Sequence, residues 1–440
     1  MEPTQDQNLS THELHSAWPV LSLEERLAGF KLLDRLEEED FFLNLSAIDQ
    51  ARILHALPHV ERRSWLRLLA PDDAADVLQE LDPEERIELL TLVDESTRKE
   101  ILGLLAYAED EAGGLMTPRY ARIRTDMTVD EAISYVRRQT RQYVPSYQYM
   151  YVLDEAQHLL GVVSLLDLLK ASTNQTVREI MTTNIVTAKI DEDQEHLSRL
   201  FAECGLSAIT VVDEQRRMQG IVTLDDIVDV VQEEATEDIQ KLGGTEALDA
   251  PYFQTKISEM IKKRAGWLCV LFLGEMLTAS AMSYFEDEIT RAVVLALFIP
   301  LIISSGGNSG SQATTIMIRS MALGEVKLRD WWRVMKREVF SGLVLGSVLG
   351  IIGLLRILLW ENIFHTYGDH AMLVGLTVGT SLVGVVLWGT LAGSMLPFLL
   401  HRMRIDPANA SAPFVATLVD VSGLVIYFTV ASMLLKGTLL

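Results

Sequence analysis

The chain has 440 residues and a formal net charge of −23, and that charge is unevenly shared. Met1–Ile261 carries 24 Lys and Arg against 50 Asp and Glu, a net of −26, whereas Lys262–Leu440 carries 14 against 11, a net of +3. So acidic a front half repels polyanions and argues against a nucleic-acid partner, and two cysteines, Cys204 and Cys269, make no disulfide framework.

In chain order, Met1–Ser10 is polar and lacks a basic region followed by an apolar one, so it does not read as a cleavable signal peptide. Residues 1–20 are read as a polar N-terminal tail. Leu21–Ala108 then holds short amphipathic helices punctuated at Pro58, Pro71 and Pro83. Asp82-Pro83-Glu84-Glu85 is a helix start, with an acidic cap and proline at the first helical position. None of these helices is long enough to bury its apolar face alone, so a right-angled or superhelical stack over residues 21–115 is expected.

A tandem repeat follows. Tyr151–Asp167 aligns with Thr210–Asp226 at an offset of 59, with seven identities that include Asp154/Asp213, Gly161/Gly220 and Asp167/Asp226. The pattern reads as strand, tight turn, strand and acidic helix start. Met116-Thr117 pairs with Met181-Thr182 at an offset of 65, so the first copy holds about six extra residues near Gln142–Tyr147. The duplicated apolar strand, Gly-hydrophobic-Val, Ser/Thr and Asp resemble a pair of CBS domains, at 116–180 and 181–240, a regulatory module that often binds adenosine nucleotides.

Five stretches are long and apolar enough to cross a bilayer: Ala265–Phe285, Ala292–Ile318, Val339–Trp360, Met372–Leu400 and Ala412–Leu435. With the N-terminal half cytoplasmic, eleven Lys and Arg, among them Lys262, Lys263, Arg264, Arg333, Lys336 and Arg337, flank the inner ends. Only Arg291, Arg356 and Lys436 flank the outer ones. The positive-inside bias therefore sends the C-terminus out of the cytoplasm. The second span contains Gly306-Gly-Asn-Ser-Gly310 after Pro300. Such residues weaken a helix, and at membrane depth they suit a pore lining or a tight helix-packing seam. Asp420 is acidic in an otherwise apolar span, which marks it as functional by default, and Ala416 and Thr417 lie one turn before it. Glu275 is a second intramembrane acid.

The order of helical stack, CBS pair, connecting helix and five spans resembles the MgtE family of magnesium channels and transporters. Ala112-Gly-Gly-Leu-Met-Thr-Pro118, Glu233-Glu-Ala-Thr-Glu-Asp-Ile239, Gly306-Gly-Asn-Ser-Gly310 and Pro413-Phe-Val-Ala-Thr-Leu-Val-Asp420 carry the resemblance. It implies an all-α superhelical N-terminal domain, an α/β CBS pair, a connecting "plug" helix within 241–264 (roughly Tyr252–Lys263) and an all-α membrane domain at 265–440. It also implies a homodimer with a pore on its two-fold axis. Asp420, with Ala416 and Thr417, would hold hydrated Mg2+ there. Regulatory Mg2+ would bind Asp72 and Asp76 on one helix face, Asp193, Glu195, Asp226 and Asp229 in the CBS part, and Glu234, Glu237 and Asp238 beyond it. ATP is a candidate ligand of the CBS pair. Two departures stand out: Glu275, where the family pattern is apolar or small, and Gly205, where an acidic residue is common before the Leu aligned with Leu206.

The leading reading is thus an Mg2+ channel or transporter of the cytoplasmic membrane, closed by cytosolic Mg2+, and not an enzyme: no P-loop, catalytic triad, HExxH or zinc-type cluster is present, and His55 and His59 lack a third ligand. A transporter of Co2+ or Mn2+ and a membrane-anchored nucleotide sensor are the alternatives.

Overall fold

The computed structural model describes residues 11–139, 146–248, 250–365 and 367–439. The extra residues expected near Gln142–Tyr147 lie mostly outside these. The chain forms two compact units, Met1–Glu234 and Ala235–Leu440.

The first unit begins with eight short helices: α1 (Thr11–Ala17), α2 (Leu23–Phe30), α3 (Arg35–Leu43), α4 (Ala47–Ala56), α5 (His59–Leu66), α6 (Pro71–Gln79), α7 (Pro83–Leu90) and α8 (Glu95–Leu104). Their starts follow local chemistry. Ser22 with Glu25 and Asp34 with Glu37 form capping boxes, Ser46 and Asp94 cap α4 and α8, and prolines open α6 and α7. Alternate helices pack together, α2 on α4, α4 on α6 and α6 on α8, which gives the expected superhelical stack. The expected polar tail is corrected over residues 11–20. Leu14 and Trp18 are buried, and Asp49 accepts hydrogen bonds from Trp18 Nε1 and Arg26 Nη1, both at 2.7 Å. The buried indole and the ion pair tie this segment into the core, which a count of polar residues cannot reveal.

The CBS pair contains two matching three-stranded sheets. In the first, β1 (Arg122–Ile123) pairs parallel to β2 (Tyr149–Leu153), which pairs antiparallel to β3 (Leu159–Ser164). In the second, β4 (Thr187–Lys189), β5 (Ala208–Val212) and β6 (Met218–Thr223) repeat the order. The helices are α9 (Ala112–Leu115), α10 (Val129–Gln139), α11 (Leu165–Lys170), α12 (Val177–Ile180), α13 (Gln194–Cys204) and α14 (Leu224–Leu242). Each Met-Thr segment that opens one repeat pairs with a strand of the other. Thr117 exchanges backbone hydrogen bonds with Ile221, and Thr182 with Val162. The repeated glycines permit this: a Cβ on Gly220 would lie 2.5 Å from the Thr117 carbonyl, and one on Gly161 would lie 2.6 Å from Met181 Sδ. Gly205 closes α13 at φ +62, a left-handed position that glycine adopts without strain.

The second unit holds five helices long and apolar enough to span a membrane: α15 (Ile257–Tyr284), α18 (Ile299–Ala322), α19 (Trp331–Phe364), α20 (Ala371–Arg402) and α21 (Ala412–Leu435). Short helices α16 (Glu286–Arg291) and α17 (Val293–Ala296) join the first two. The expected connecting helix at Tyr252–Lys263 is not a separate element: Pro251–Thr255 turns, and Ile257 already starts α15. The long helix leaving the CBS pair is α14, 19 residues ending at Leu242.

Gly306, Gly307 and Gly310 do not break α18, which runs unbroken for 24 residues. They let neighbouring backbones approach, as small residues do where no hydrophobic effect drives helices together. A Cβ on Gly310 would sit 2.9 Å from Val415 Cγ1 and 3.2 Å from the Gly389 carbonyl, while one on Gly393 would collide with the Gly310 carbonyl. Thr314 Oγ1 donates to the Gly393 carbonyl at 2.9 Å in the same seam. Gly393→Val should therefore lower the thermal midpoint in detergent, at an overpacking cost of about 1–3 kcal/mol. Gly103→Ala, with nothing within 4 Å, should leave the midpoint unchanged or raise it slightly.

Candidate metal sites

In the soluble unit, Pro71 starts α6 so that Asp72 and Asp76 lie one turn apart, and the Thr223–Asp226 cap starts α14 with Asp226 turned inward. Asp226 Oδ2 accepts from the Thr223 hydroxyl at 2.6 Å and from the Thr223 amide at 3.3 Å. The fold brings Asp72, Asp73 and Asp76 of α6 into electrostatic reach of Asp225 and Asp226 of α14. Burial, then the charges of Asp73 and Asp226, push the Asp72 carboxyl up to about 7. Asp226 is pushed up to about 6, chiefly by burial, against the Thr223 hydrogen bonds that favour its ionised form. Asp76 is raised by the protein crowding its carboxyl and then by Asp72, Asp73, Asp226 and Glu109. It keeps an open face to solvent, so it stands at the rim of the cluster. Asp229 and Glu233 continue the acidic run along α14, and both carboxyls are also raised by burial and neighbouring acids.

Asp72 Oδ1 is buried and finds no hydrogen-bond partner among the described residues. An orphaned carboxylate oxygen facing further carboxylates suits a cation, because a cation is the partner that relieves both lost hydration and like-charge repulsion. Among the described residues no three acidic, His or Cys side chains converge as direct ligands.

The other expected sensor residues lie elsewhere. Asp193 caps α13, accepting from the Glu195 and His196 amides, while Glu195 pairs with Arg199. Glu234 accepts from Gln194 Nε2, Glu237 pairs with Lys241, and Asp238 lies half-buried further along α14. The structure joins Asp72, Asp76 and Asp226 and leaves Asp193 and Glu195 occupied in local capping and pairing. Sequence reading missed Asp73, Asp225, Glu233 and Glu109. The acidic doublets at 72–73 and 225–226 were the available signal.

In the membrane unit, Ser411 caps α21 through the Phe414 amide, and Asp420 sits half-buried on that helix. Gly307 of α18 faces it: a Cβ there would meet Ala416 Cβ and Asp420 Oδ1, each at 3.4 Å. The absent side chain leaves room beside the carboxylate, so one face of α18 is a packing seam and Gly307 opens space at Asp420. The Thr417 hydroxyl donates to the Pro413 carbonyl at 3.0 Å, leaving its oxygen lone pairs available.

Raised carboxyl pKa values make the soluble unit's stability depend on pH. Unfolded Asp titrates near 4, so between about pH 4 and 8 the folded cluster binds more protons than the unfolded chain. Stability is therefore fullest below the unfolded value and is lost as pH rises through about 6 for Asp226 and about 7 for Asp72. Without Mg2+, the soluble unit's thermal midpoint should fall from pH 5 to pH 8. Asp72→Asn should flatten that fall, and millimolar Mg2+ should reverse it in the parent more than Na+ of equal ionic strength.

Comparison with known proteins agrees with this layout. The "Divalent cation transporter" model of the MgtE family matches residues 299–430, the MgtE intracellular N domain matches 9–110, and CBS domains match 112–174 and 177–233. The chain is 40% identical over 434 residues to the magnesium transporter MgtE of Thermus thermophilus, covering 98% of this chain and 94% of that one. It is 34% identical to that of Bacillus subtilis, covering 82% and 78%. A crystal structure of the cytosolic domain of the Mg2+ channel MgtE in complex with ATP matches 50% of this chain and 90% of its own, at 40% identity and a TM-score of 0.47. With its helical domain, CBS pair and five-helix membrane domain each matched in order, the chain belongs to the MgtE family of divalent cation transporters.

Proposed function

We propose that this protein admits Mg2+ to the cytoplasm past Asp420 and is closed when cytosolic Mg2+ occupies the Asp72–Asp76–Asp226 cluster. The observation that carries the pore reading is Asp420 itself, a carboxylate within an apolar span with Gly307 leaving open space beside it. A charge there is costly unless a cation or cavity compensates it. Its carboxylate is a hard oxygen donor, and the Thr417 hydroxyl lies one turn before it on α21, a donor chemistry that suits Mg2+ above softer divalent ions. On a homodimer axis the carboxylate would occur twice and could hold the ion through its water shell. The positive-inside bias places the acidic unit in the cytoplasm and the C-terminus outside. The duplicated CBS motif keeps ATP as a candidate regulator.

Coupling has a concrete route within the membrane unit. Lys241, near the end of α14, donates to Asp406 Oδ2 at 2.6 Å and also pairs with Glu237. Asp406 lies in the segment that leads into α21. Just beyond Lys241, Gly244 at φ +74 lies against Pro413, and Lys263 Nζ donates to the Ala247 carbonyl. The end of α14 is thereby fastened beside the start of the helix that carries Asp420. A ligand that favours one placement of α14 can bias the pore only through its differential affinity for the two states, and this ion-pair hub is where that bias would arrive.

In liposomes, Asp420→Ala should abolish Mg2+ uptake by a folded protein, and Asp420→Asn should lose most of it. Normal uptake by well-expressed Asp420→Ala would sink the pore assignment. Lys241→Met should still conduct but require several-fold more internal Mg2+ to shut. An unchanged inhibition curve would remove the hub from the coupling route.

A further inference from the structure

Glu275 has no role in the reading so far, yet its position is specific. Helices α15 and α21 run side by side in the same direction: Trp267 meets Phe414 with ring centroids 6.3 Å apart, and Phe285 stacks on Phe428 at 4.9 Å. Between those contacts the backbones close up, because a Cβ on Gly274 would stand 2.7 Å from Thr417 Cγ2. Gly274 and Phe285 thus meet residues at one common offset, which sets Glu275 and Thr278 level with the stretch of α21 from Leu418 to Val421. Glu275 and Asp420 are the acidic residues at this level of the two helices, Glu275 exposed and Asp420 half-buried in the single chain. No ion pair to Glu275 occurs among the described residues, and its neighbours Leu273, Met276 and Leu277 are exposed apolar groups.

Thr278 supplies a separate observation. It is the one buried residue of α15, at 7% exposure, and its hydroxyl finds no partner among the described residues. Lying one turn on from Gly274, it shares the face turned to α21, so the unpartnered oxygen sits in the seam level with Asp420. A buried hydroxyl without a partner and a carboxylate among apolar side chains are both costly in a span, and a cation between them relieves both.

We propose that Glu275, the Thr278 hydroxyl and Asp420 form a second cation position on the α15–α21 seam, which concentrates divalent ions at the conduction path and discriminates against monovalent ones. This rests on the reading of Asp420 as the pore carboxylate. Adding the Glu275 carboxylate to that of Asp420 raises the negative charge that an entering cation must offset. Each Na+ offsets half as much of that charge as a divalent ion in a low-dielectric setting, which favours the divalent ion.

The test measures uptake into liposomes by the full-length protein, with Mg2+ titrated alone and with Na+ entry measured in Mg2+-free buffer. Glu275→Gln should raise half-saturating Mg2+ at least several-fold and increase Na+ entry relative to Mg2+. Glu275→Asp should recover most of the parent behaviour, and Thr278→Val should shift it in the Glu275→Gln direction by less. If Glu275→Gln matches the parent in both half-saturation and Mg2+:Na+ ratio while Asp420→Asn is silent, this second site is wrong and the pore reading stands. If Asp420→Asn conducts like the parent, the pore reading falls and this site falls with it. Should Glu275→Gln fail to fold, Thr278→Val decides: parent-like Mg2+ titration and Na+ entry in that variant overturn the proposal.

Discussion

Carboxylates brought together out of bulk water repel one another, and each resists ionisation for as long as no cation joins them. Asp72 and Asp226 form such a group between a helix of the N-terminal stack and the first turn of α14, with Asp76 at its solvent-facing rim and one oxygen of Asp72 without a hydrogen-bond partner among the described residues. Well-packed apolar residues would hold two surfaces together without that cost. The arrangement makes sense where the closeness of the two elements should depend on something outside the chain. In the proposed reading a divalent ion would supply the missing attraction, and mass action would make the packed state follow its concentration.

The membrane unit meets the opposite problem. Little hydrophobic force acts between helices in lipid, so glycine-mediated approach does the work of association. Gly306, Gly310, Gly389 and Gly393 set α18 against α20 and α21 at backbone distance. That tight scaffold leaves specific openings, and the one at Gly307 faces Asp420. Fixed helices around a retained charge make a site that can stay hydrated without collapsing. The Lys241–Asp406 pair ties the end of α14 to the lead-in to α21, where the proposed coupling would arrive.

Much of this was legible in the sequence because it rests on local or periodic chemistry. The spans followed from apolar length, the helix starts from Ser, Asp and Pro caps, and the CBS pair from a repeat with matched glycines. Asp420 stood out as a charge where charge is costly. What was not legible depends on contacts between distant residues. Trp18 belongs to the core only because Asp49 and Arg26 receive it. The exchange of Met116-Thr117 and Met181-Thr182 between repeats is a tertiary pairing without a periodic signature. Asp193 and Asp226 look alike in sequence, each an acid at a helix start, yet one serves as a simple cap while the other is turned into the cluster. The motif Gly306–Gly310 was ambiguous between pore and seam because glycine serves both; the structure packs Gly306 and Gly310 into a seam and sets Gly307 beside Asp420.

The central claim is that the acidic soluble unit closes the conduction path when Mg2+ binds it. Patch-clamp current recorded against internal Mg2+, for the full-length protein and for a variant lacking Met1–Ala108, tests this most directly. The deletion removes Asp72, Asp73 and Asp76 and leaves every span and Asp420 in place. The account predicts that full-length current shuts off as internal Mg2+ rises, while the truncated protein conducts and stays open. Inhibition of both over the same Mg2+ range would contradict it and leave the helical stack with a role in assembly alone.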